Sequence, residues 1–549
     1  MPGKFNKQVL KKDIIASLIL NKGNISQAAF SLGLKRTTLR DWVLNDQELL
    51  TLRHNYVLID KITEKAKNGT AEKAKKSKTV PLEMAKPDSN LKVSNKQKYV
   101  VTCAQNNTEI HKDFVESLLT YCRINNAQLI VIPIRYKNVT AYIQGEDYIA
   151  YWPPELNDYY LNDELNLNDN LVILGDLKIQ ATSIKPLSGI RTISKNKSAI
   201  IGHPQLALQM VPTPNNELPR QLLTTGSCSL KNYSTSKAGH QANFHHTFGA
   251  TYVEVEDEIF FTRQLNATND GSFYDLDKLY YKDQMTEGHR VSGLVCGDIH
   301  AHSLDDRVVN ATWCAVDSIV EVCKPEHQYL HDALDFYSAN HHHRDNPYIK
   351  YIKHMNGTNS VSEELYHLVN VHNILWSNPD TFYHYISSNH NDALTRWLKE
   401  TDPRNDPENA LIYYKLQVYM LESIESDNRI PNPLVYFFMN KISNYTKVFF
   451  HSRNEKVDLH GIDLSQHGDR GPNGTRGSIS SFSQTGNKTV IGHSHTPGIE
   501  KGAYCVGTSS NLQLGYNSGY SSWLHTHCII YPNGKRTLIN IIDGKWKLK

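Results

Sequence analysis

"GLVCGDIHAH", Gly293 to His302, reads as a short apolar strand, Leu294 to Cys296, that stops at a glycine and ends in Asp298-Ile299-His300. Residues two apart on an extended segment project to the same side, so Asp298 and His300 can reach one point in space. Carboxylate and imidazole together suit a borderline divalent ion. In a chain with 26 histidines one such triplet decides nothing; the blocks that follow it in order carry the reading. The run "DDRVVNATWCAVDSIVEVC" comes next and reads as a helix. "HQYLHDALDF" then places Asp332 near the end of a second strand. "HYISSNHND" breaks off an aromatic run at Asn389 and His390, where another helix begins. "IDLSQHGDRG" carries His467, and "KTVIGHSHTPG" carries His493 and His495. His460 is also followed by glycine, but the strand-like "GIDLSQ" leads directly into His467 and favours it.

The blocks DIH, HDALD, SNHND, QHG and GHSH resemble, in order, the signature of the calcineurin-like metallophosphoesterase superfamily. That resemblance implies a β-sandwich flanked by helices and two divalent ions roughly 3.5–4 Å apart, activating a bridging hydroxide for attack on phosphorus. It also implies roles. Asp298, His300 and His495 would hold the first ion, and Asn389, His467 and His493 the second. Asp332 would bridge them, while His390 would face substrate as the catalytic residue. Mn²⁺ is the ion the resemblance implies; Fe²⁺, Zn²⁺ or Mg²⁺ are the alternatives. Two departures stand out. His331 and Ser388 occupy positions where the signature has glycine, and Asn391 stands where an acidic residue usually follows the catalytic histidine, with Asp392 next to it.

Beyond the last block, short apolar alternations around a "PNG" turn predict a closing antiparallel sheet. Upstream, Tyr99 to Cys103 reads as a buried strand, followed by a helix carrying Phe114, Leu118, Leu119 and Cys122, then a strand from Leu129 to Ile134. This is a β-α-β unit whose natural form is a parallel sheet. "NLVILGDLKI" offers a further strand. The histidines of "HQANFHHTFGATYVEVE", His240, His245 and His246, read as loop or surface residues, and "NHHHRD" (340–345) as a loop with at most a substrate role.

Charge is unevenly spread. Residues 1–100 hold 20 Lys or Arg against 9 Asp or Glu, a net of +11; the remaining 449 hold 39 against 47, a net of −8. A basic head on a mildly acidic body points to a polyanion. Within the head a helix over Lys7 to Leu20 is expected. "GNISQAAFSLGLKRTTLRDWV" follows, with Ile25, Ala28, Ala29 and Phe30 on one face, a turn at Gly33, and a helix burying Leu39, Trp42 and Val43. The three resemble a helix-turn-helix domain, which implies Lys35, Arg36, Thr37, Thr38 and Arg40 facing DNA. The expected fold is therefore α/β in four parts: a helix-turn-helix domain at 1–60, a basic linker at 61–98, a central α/β domain at 99–285, and a metallophosphoesterase domain at 286–549.

No apolar run reaches the roughly 20 residues that a membrane-spanning helix needs, and the N-terminus lacks a cleavable export signal. The eight cysteines form no CxxC pair, which fits a reducing cytoplasm. The superfamily core serves phosphatases, phosphodiesterases and nucleases alike; the basic head favours a DNase. The whole is similar to phage-encoded members of the superfamily, the early DNases of T5-like bacteriophages among them. That resemblance implies double-stranded DNA as partner, host DNA degradation, a site of action in the bacterial host cytoplasm, and other phage early proteins as further partners. A homo-oligomer stays open. The alternatives are a DNA-binding regulatory or packaging protein with a vestigial core, and a protein or nucleotide phosphatase.

Overall fold

Helices α1 (Lys7–Leu20), α2 (Ile25–Ser31) and α3 (Arg36–Leu44) close a small core of Ile14, Leu18, Ile25, Ala28, Ala29, Leu39, Val43 and Leu49. Asn24 starts α2 by accepting hydrogen bonds from the Ser26 and Gln27 amides, satisfying donors that a helix end leaves open. Gly33, at φ 65°, makes the turn before α3. One expectation fails here: Phe30 is 89% exposed. It follows Ala29 by one residue, about 100° around a helix, and so leaves the buried face. Lys35, Arg36, Thr37 and Arg40 are exposed and Thr38 is half-buried.

The structure, a computed structural model, describes residues 7–21, 24–46, 48–50, 86–93, 97–136, 151–214, 217–439, 441–442, 445–515 and 517–548. The chain divides into two compact units, Met1–Ala85 and Lys86–Lys549. Most of the expected linker lies outside the described residues. Its end is docked rather than free: the Ser89 hydroxyl donates to the Tyr160 carbonyl at 2.6 Å, and the Asn90 amide to the Asn157 carbonyl at 2.8 Å.

The second unit begins with the β-α-β step: β1 (Lys98–Gln105), α4 (Lys112–Asn125) and β2 (Gln128–Ile134), with β1 and β2 parallel. Strands Gly249–Glu256 and Ile259–Asn266 extend this sheet antiparallel. A six-stranded sheet holds β3 (Gly293–Val295), β4 (His327–His331), β5 (Phe382–Ile386), β6 (Val448–His451), β7 (His525–Ile530) and β8 (Arg536–Ile541) in the order β6-β5-β4-β3-β7-β8. Strands β3 to β6 are mutually parallel, while β7 and β8 close the sheet antiparallel. The run after Asp305 is not one helix. It breaks into Asp306–Val309, a wide turn at Asn310–Cys314, and Ile319–Cys323, the last capped by the Ser318 side chain.

A ten-stranded sheet crosses the division expected at residue 285. Five of its strands, from Glu164–Asn166 to Arg220–Thr224, come from the central segment. They join the rest where Leu208 pairs antiparallel with Ile499. The reason is burial. Ile173, Ile200 and Leu223 share one apolar cluster with Val490, Ile499 and Tyr504, and with Val295, Tyr329 and Cys528 of the six-stranded sheet. Split at 285, each half would expose this face. The other face of the six-stranded sheet packs Leu294, Leu330 and Tyr385 against helices α5 (Val361–Leu375) and α6 (Asn389–Glu400). His240 is exposed at the surface, but His246 is buried, its Nδ1 lying 2.8 Å from the Tyr233 hydroxyl. All eight cysteines are free, and among the described residues no helix is long and apolar enough to cross a membrane.

Candidate metal centre

The five motif blocks converge at one edge. Asp298 follows β3, Asp332 follows β4, and Asn389 opens α6 just beyond β5, so all three lie past the carboxyl ends of parallel strands, where open α/β sheets bind ligands. His467 follows the short strand Ile462–Asp463, and His493 and His495 follow Lys488–Ile491. The backbone is bent to aim these side chains. His300, Asp332, His493 and His495 have φ between 45° and 70°, a left-handed conformation that costs non-glycine residues roughly 1–3 kcal/mol each. Main-chain bonds hold the bends: the His300 amide donates to the Asp332 carbonyl at 2.8 Å, and the Gly492 amide to the His467 carbonyl at 2.6 Å.

Three overlapping groups result, their donor atoms within 4.8 Å of one another: Asp298, His300 and His495; Asp332, His467 and His493; and His300, Asp332 and His390. His495 Nε2 lies 3.2 Å from Asp298 Oδ2 and 3.1 Å from His300 Nε2. His467 Nε2 sits 3.0 Å from Asp332 Oδ2 without aligning as a hydrogen bond. Asp332 Oδ2 is also 3.8 Å from His300 Nε2 and 3.9 Å from His390 Nε2, so Asp332 stands between the groups. Oδ1 of Asp298, of Asp332 and of Asn389 are all buried without a hydrogen-bond partner. Orphaned buried oxygens of this kind are costly unless something neutralises them. A divalent cation would do so, and the mixed Asp, Asn and His donors fit one.

No family model matches this chain, and no solved structure does. Protein A1 of Escherichia phage T5 is 34% identical to it over 469 residues, covering 83% of each chain. This chain belongs to the family of Protein A1. In this chain the clustered His and Asp side chains suit divalent ions and a metal-dependent hydrolytic site.

Electrostatics agree with the geometry. Burial alone would raise both aspartates. His467 and His495 outweigh it at Asp298, bringing it to about 2, and His467 with His390 hold Asp332 well below the usual carboxylate range. Burial likewise opposes charge on His300 and His467. Asp335, Asp332 and Asp298 nevertheless raise His300 to about 9, and Asp332 and Asp298 raise His467 to about 8. The same carboxylates that favour protons on these two histidines would favour a cation, and the two would compete for the imidazole nitrogens.

The structure brings in residues to which the resemblance assigns no role. Asp335 Oδ1 is 3.5 Å from His300 Nδ1, and its Oδ2 accepts from the Ser303 hydroxyl at 3.2 Å. Its main-chain carbonyl takes the hydrogen bond of His390 Nδ1, which turns His390 Nε2 toward Asp332. The signal was present as a second acid three residues after Asp332. Asp392 does not stand in for Asn391 beside His390: it pairs with Arg453 Nε at 3.0 Å and with Arg470. Asn391 instead bonds Ser388, the cap of α6. His460 is away from the centre, its Nε2 2.8 Å from the Ser292 hydroxyl. A cleft of about 830 Å³ opens over the groups, and His341, His342 and His343 of the "NHHHRD" turn line it together with Tyr337, Arg396 and Trp523.

Proposed function

We propose that this protein is a divalent-metal-dependent deoxyribonuclease. The observation that carries the reading is the convergence of buried, orphaned Asp, Asn and His donors at one sheet edge under an open cleft. In this reading the second unit is a metallophosphoesterase-type sandwich. Asp298, His300 and His495 hold one ion, Asn389, His467 and His493 a second, and Asp332 both. Two such ions supply a nucleophile at neutral pH and neutralise charge on phosphoryl oxygens. Asp335 fixes the ring of His300 from behind, a carboxylate–histidine arrangement that orients a ligand. His390, with Nδ1 donating to the Asp335 carbonyl, presents Nε2 to the substrate and, when that nitrogen also carries a proton, as the imidazolium, delivers it to the leaving oxygen and is left neutral.

The substrate is assigned from charge. The first 100 residues carry a net +11, and Lys35, Arg36, Thr37, Thr38 and Arg40 line up at the start of α3, the position of a recognition helix. Such a head raises the local concentration of DNA and offers little to a phosphatase of small molecules. Mn²⁺ is the assigned ion, and degradation of host DNA in an infected bacterium is the assigned role. The test incubates purified protein with plasmid and, separately, with an aryl phosphate monoester, with EDTA and then with excess Mn²⁺. Plasmid cleavage that EDTA abolishes and Mn²⁺ restores is expected. Cleavage in metal-free buffer would overturn the mechanism. Monoester hydrolysis without DNA cleavage would replace the nuclease by a phosphatase, and inertness toward both would leave a DNA-binding protein with a vestigial core.

A further inference from the structure

The cleft wall carries chemistry that metal binding does not use. Tyr337 lies between two partners: Lys353 Nζ is 4.5 Å from its ring centroid, and the His302 ring stacks on it at 5.2 Å with an interplanar angle of 11°. Of these rings His302 is the exposed member, and both His302 and Tyr337 line the cleft. The segment beneath is pinned. The half-buried Glu364 carboxylate accepts the Tyr337 amide at 2.7 Å and the Ser338 amide at 2.9 Å. Lys353, only 3% exposed, donates to the Tyr337 and Ser338 carbonyls. A buried ammonium and a half-buried carboxylate together hold this surface loop. They make a rigid aromatic shelf whose outer face is solvent-exposed.

That shelf is close to the centre. His302 is two residues beyond His300, hence within about 7 Å of it along the backbone. This is the scale that separates a phosphate from the base of an adjoining nucleotide. Trp523 adds a second aromatic surface to the cleft, its ring 4.1 Å from that of His495. Arg396, exposed and lining the cleft, lies 2.9 Å from the His341 ring and 3.9 Å from Glu400, and places a cation beside the shelf. Aromatic faces beside a cation are the usual platform for unpaired bases. A B-form duplex keeps its base faces stacked inside and presents only edges and phosphates.

We infer that the cleft takes an unpaired DNA strand, with the base next to the scissile phosphate stacked on His302. The inference rests on the deoxyribonuclease reading and narrows its substrate to single-stranded or locally unwound DNA. The test uses the full chain with Mn²⁺ and three substrates: a short single strand, the same strand with abasic residues flanking the scissile bond, and the duplex of that sequence. One stacked base predicts a preference of about 10-fold in kcat/KM for the native strand over the abasic one, with the duplex slower than the native strand. His302→Ala should collapse that preference, and His302→Phe, which keeps a ring, should retain it. With Ca²⁺ replacing Mn²⁺, a 2-aminopurine at the flanking position should be quenched by the wild type and not by His302→Ala. Thermal melting of each variant reports its folding. Equal cleavage of native and abasic strands overturns the shelf while leaving a nuclease; undiminished preference in His302→Ala does the same. Failure to cleave any of the three strands overturns the nuclease reading and this inference with it.

Discussion

Gly492 offers the sharpest test of the centre because it bears no proposed donor of its own. A Cβ placed there would lie 2.1 Å from Asp298 Oδ1. Its φ is not in the left-handed region, so alanine carries no conformational penalty. The clash must therefore be absorbed by Asp298. Reaching even a tight 3.0 Å contact requires Oδ1 to retreat by about 0.9 Å. The Asp298 backbone cannot follow: its amide donates to Gly507 at 3.1 Å, and its carbonyl accepts from the Ser509 amide at 2.8 Å and the Thr508 hydroxyl at 3.0 Å. Only the carboxylate can rotate, breaking the 2.7 Å hydrogen bond from the His493 amide. Metal–ligand distances tolerate about 0.2 Å. Gly492→Ala should thus lose the ion held by Asp298, His300 and His495, and turnover should fall by roughly 100-fold or more. Overpacking costs about 1–3 kcal/mol, so the variant should still fold. Elemental analysis of dialysed protein, plasmid nicking and a thermal melt measure the three quantities. A folded Gly492→Ala protein with full metal content and near-normal cleavage would refute the assignment of Asp298 as a ligand of an ion.

Asn389→Ala should weaken the second ion, whereas His390→Ala should keep both ions and lose turnover; metal analysis beside a nuclease assay separates them, and equal metal loss would reverse the two roles. Deleting residues 1–60 should raise the DNA concentration for half-maximal cleavage and reduce the salt slope by about 3 if Lys35, Arg36 and Arg40 each contact a phosphate; an unchanged slope would remove the head from DNA binding. Acid should unfold the protein early. Burial depresses His203 and His372 to about 4, and burial, with neighbouring cationic groups in some cases, depresses His246, His384 and His527 to about 3. Groups with folded pKa values below the unfolded value near 6.5 contribute stability above pH 6.5 that is lost as pH falls. Five of them remove up to about 7 kcal/mol per pH unit, comparable to a domain's whole stability. Circular dichroism should show cooperative loss well above pH 4, and an unchanged spectrum at pH 4 would contradict the burial of these rings.

What the sequence made legible was local. The helix over Lys7–Leu20 and the β-α-β step beginning at Tyr99 follow from periodicity within a dozen residues, and the clustering of Asp and His side chains from residue type at strand ends. Pairing between Leu208 and Ile499 depends on residues far apart in the chain, and no local pattern announces it; the division at 285 failed for that reason. Phe30 was misplaced because α2 has only seven residues, too few for a periodicity to choose between adjacent faces. The aromatic shelf was hidden in a different way, since His302 lies in a single three-residue helical turn and Tyr337 in a loop, both too short for a repeat to apply.

His331 and Ser388 stand where the signature this sequence resembles has glycine, and the backbone shows what each position requires. A glycine is needed only where the backbone turns left-handed. At the second block that bend falls on Asp332, with φ 45°, and His331 remains the last residue of β4. At the third block Ser388 has φ −130° and caps α6 through a hydrogen bond from the Asn391 amide, a task glycine cannot perform with a side chain. Asn391 in turn holds the Ser388 hydroxyl at 2.7 Å. Ser388 and Asn391 therefore act together on the helix start, fixing the turn that aims Asn389 and His390. The strain remains with Asp332, whose side chain stands between the groups.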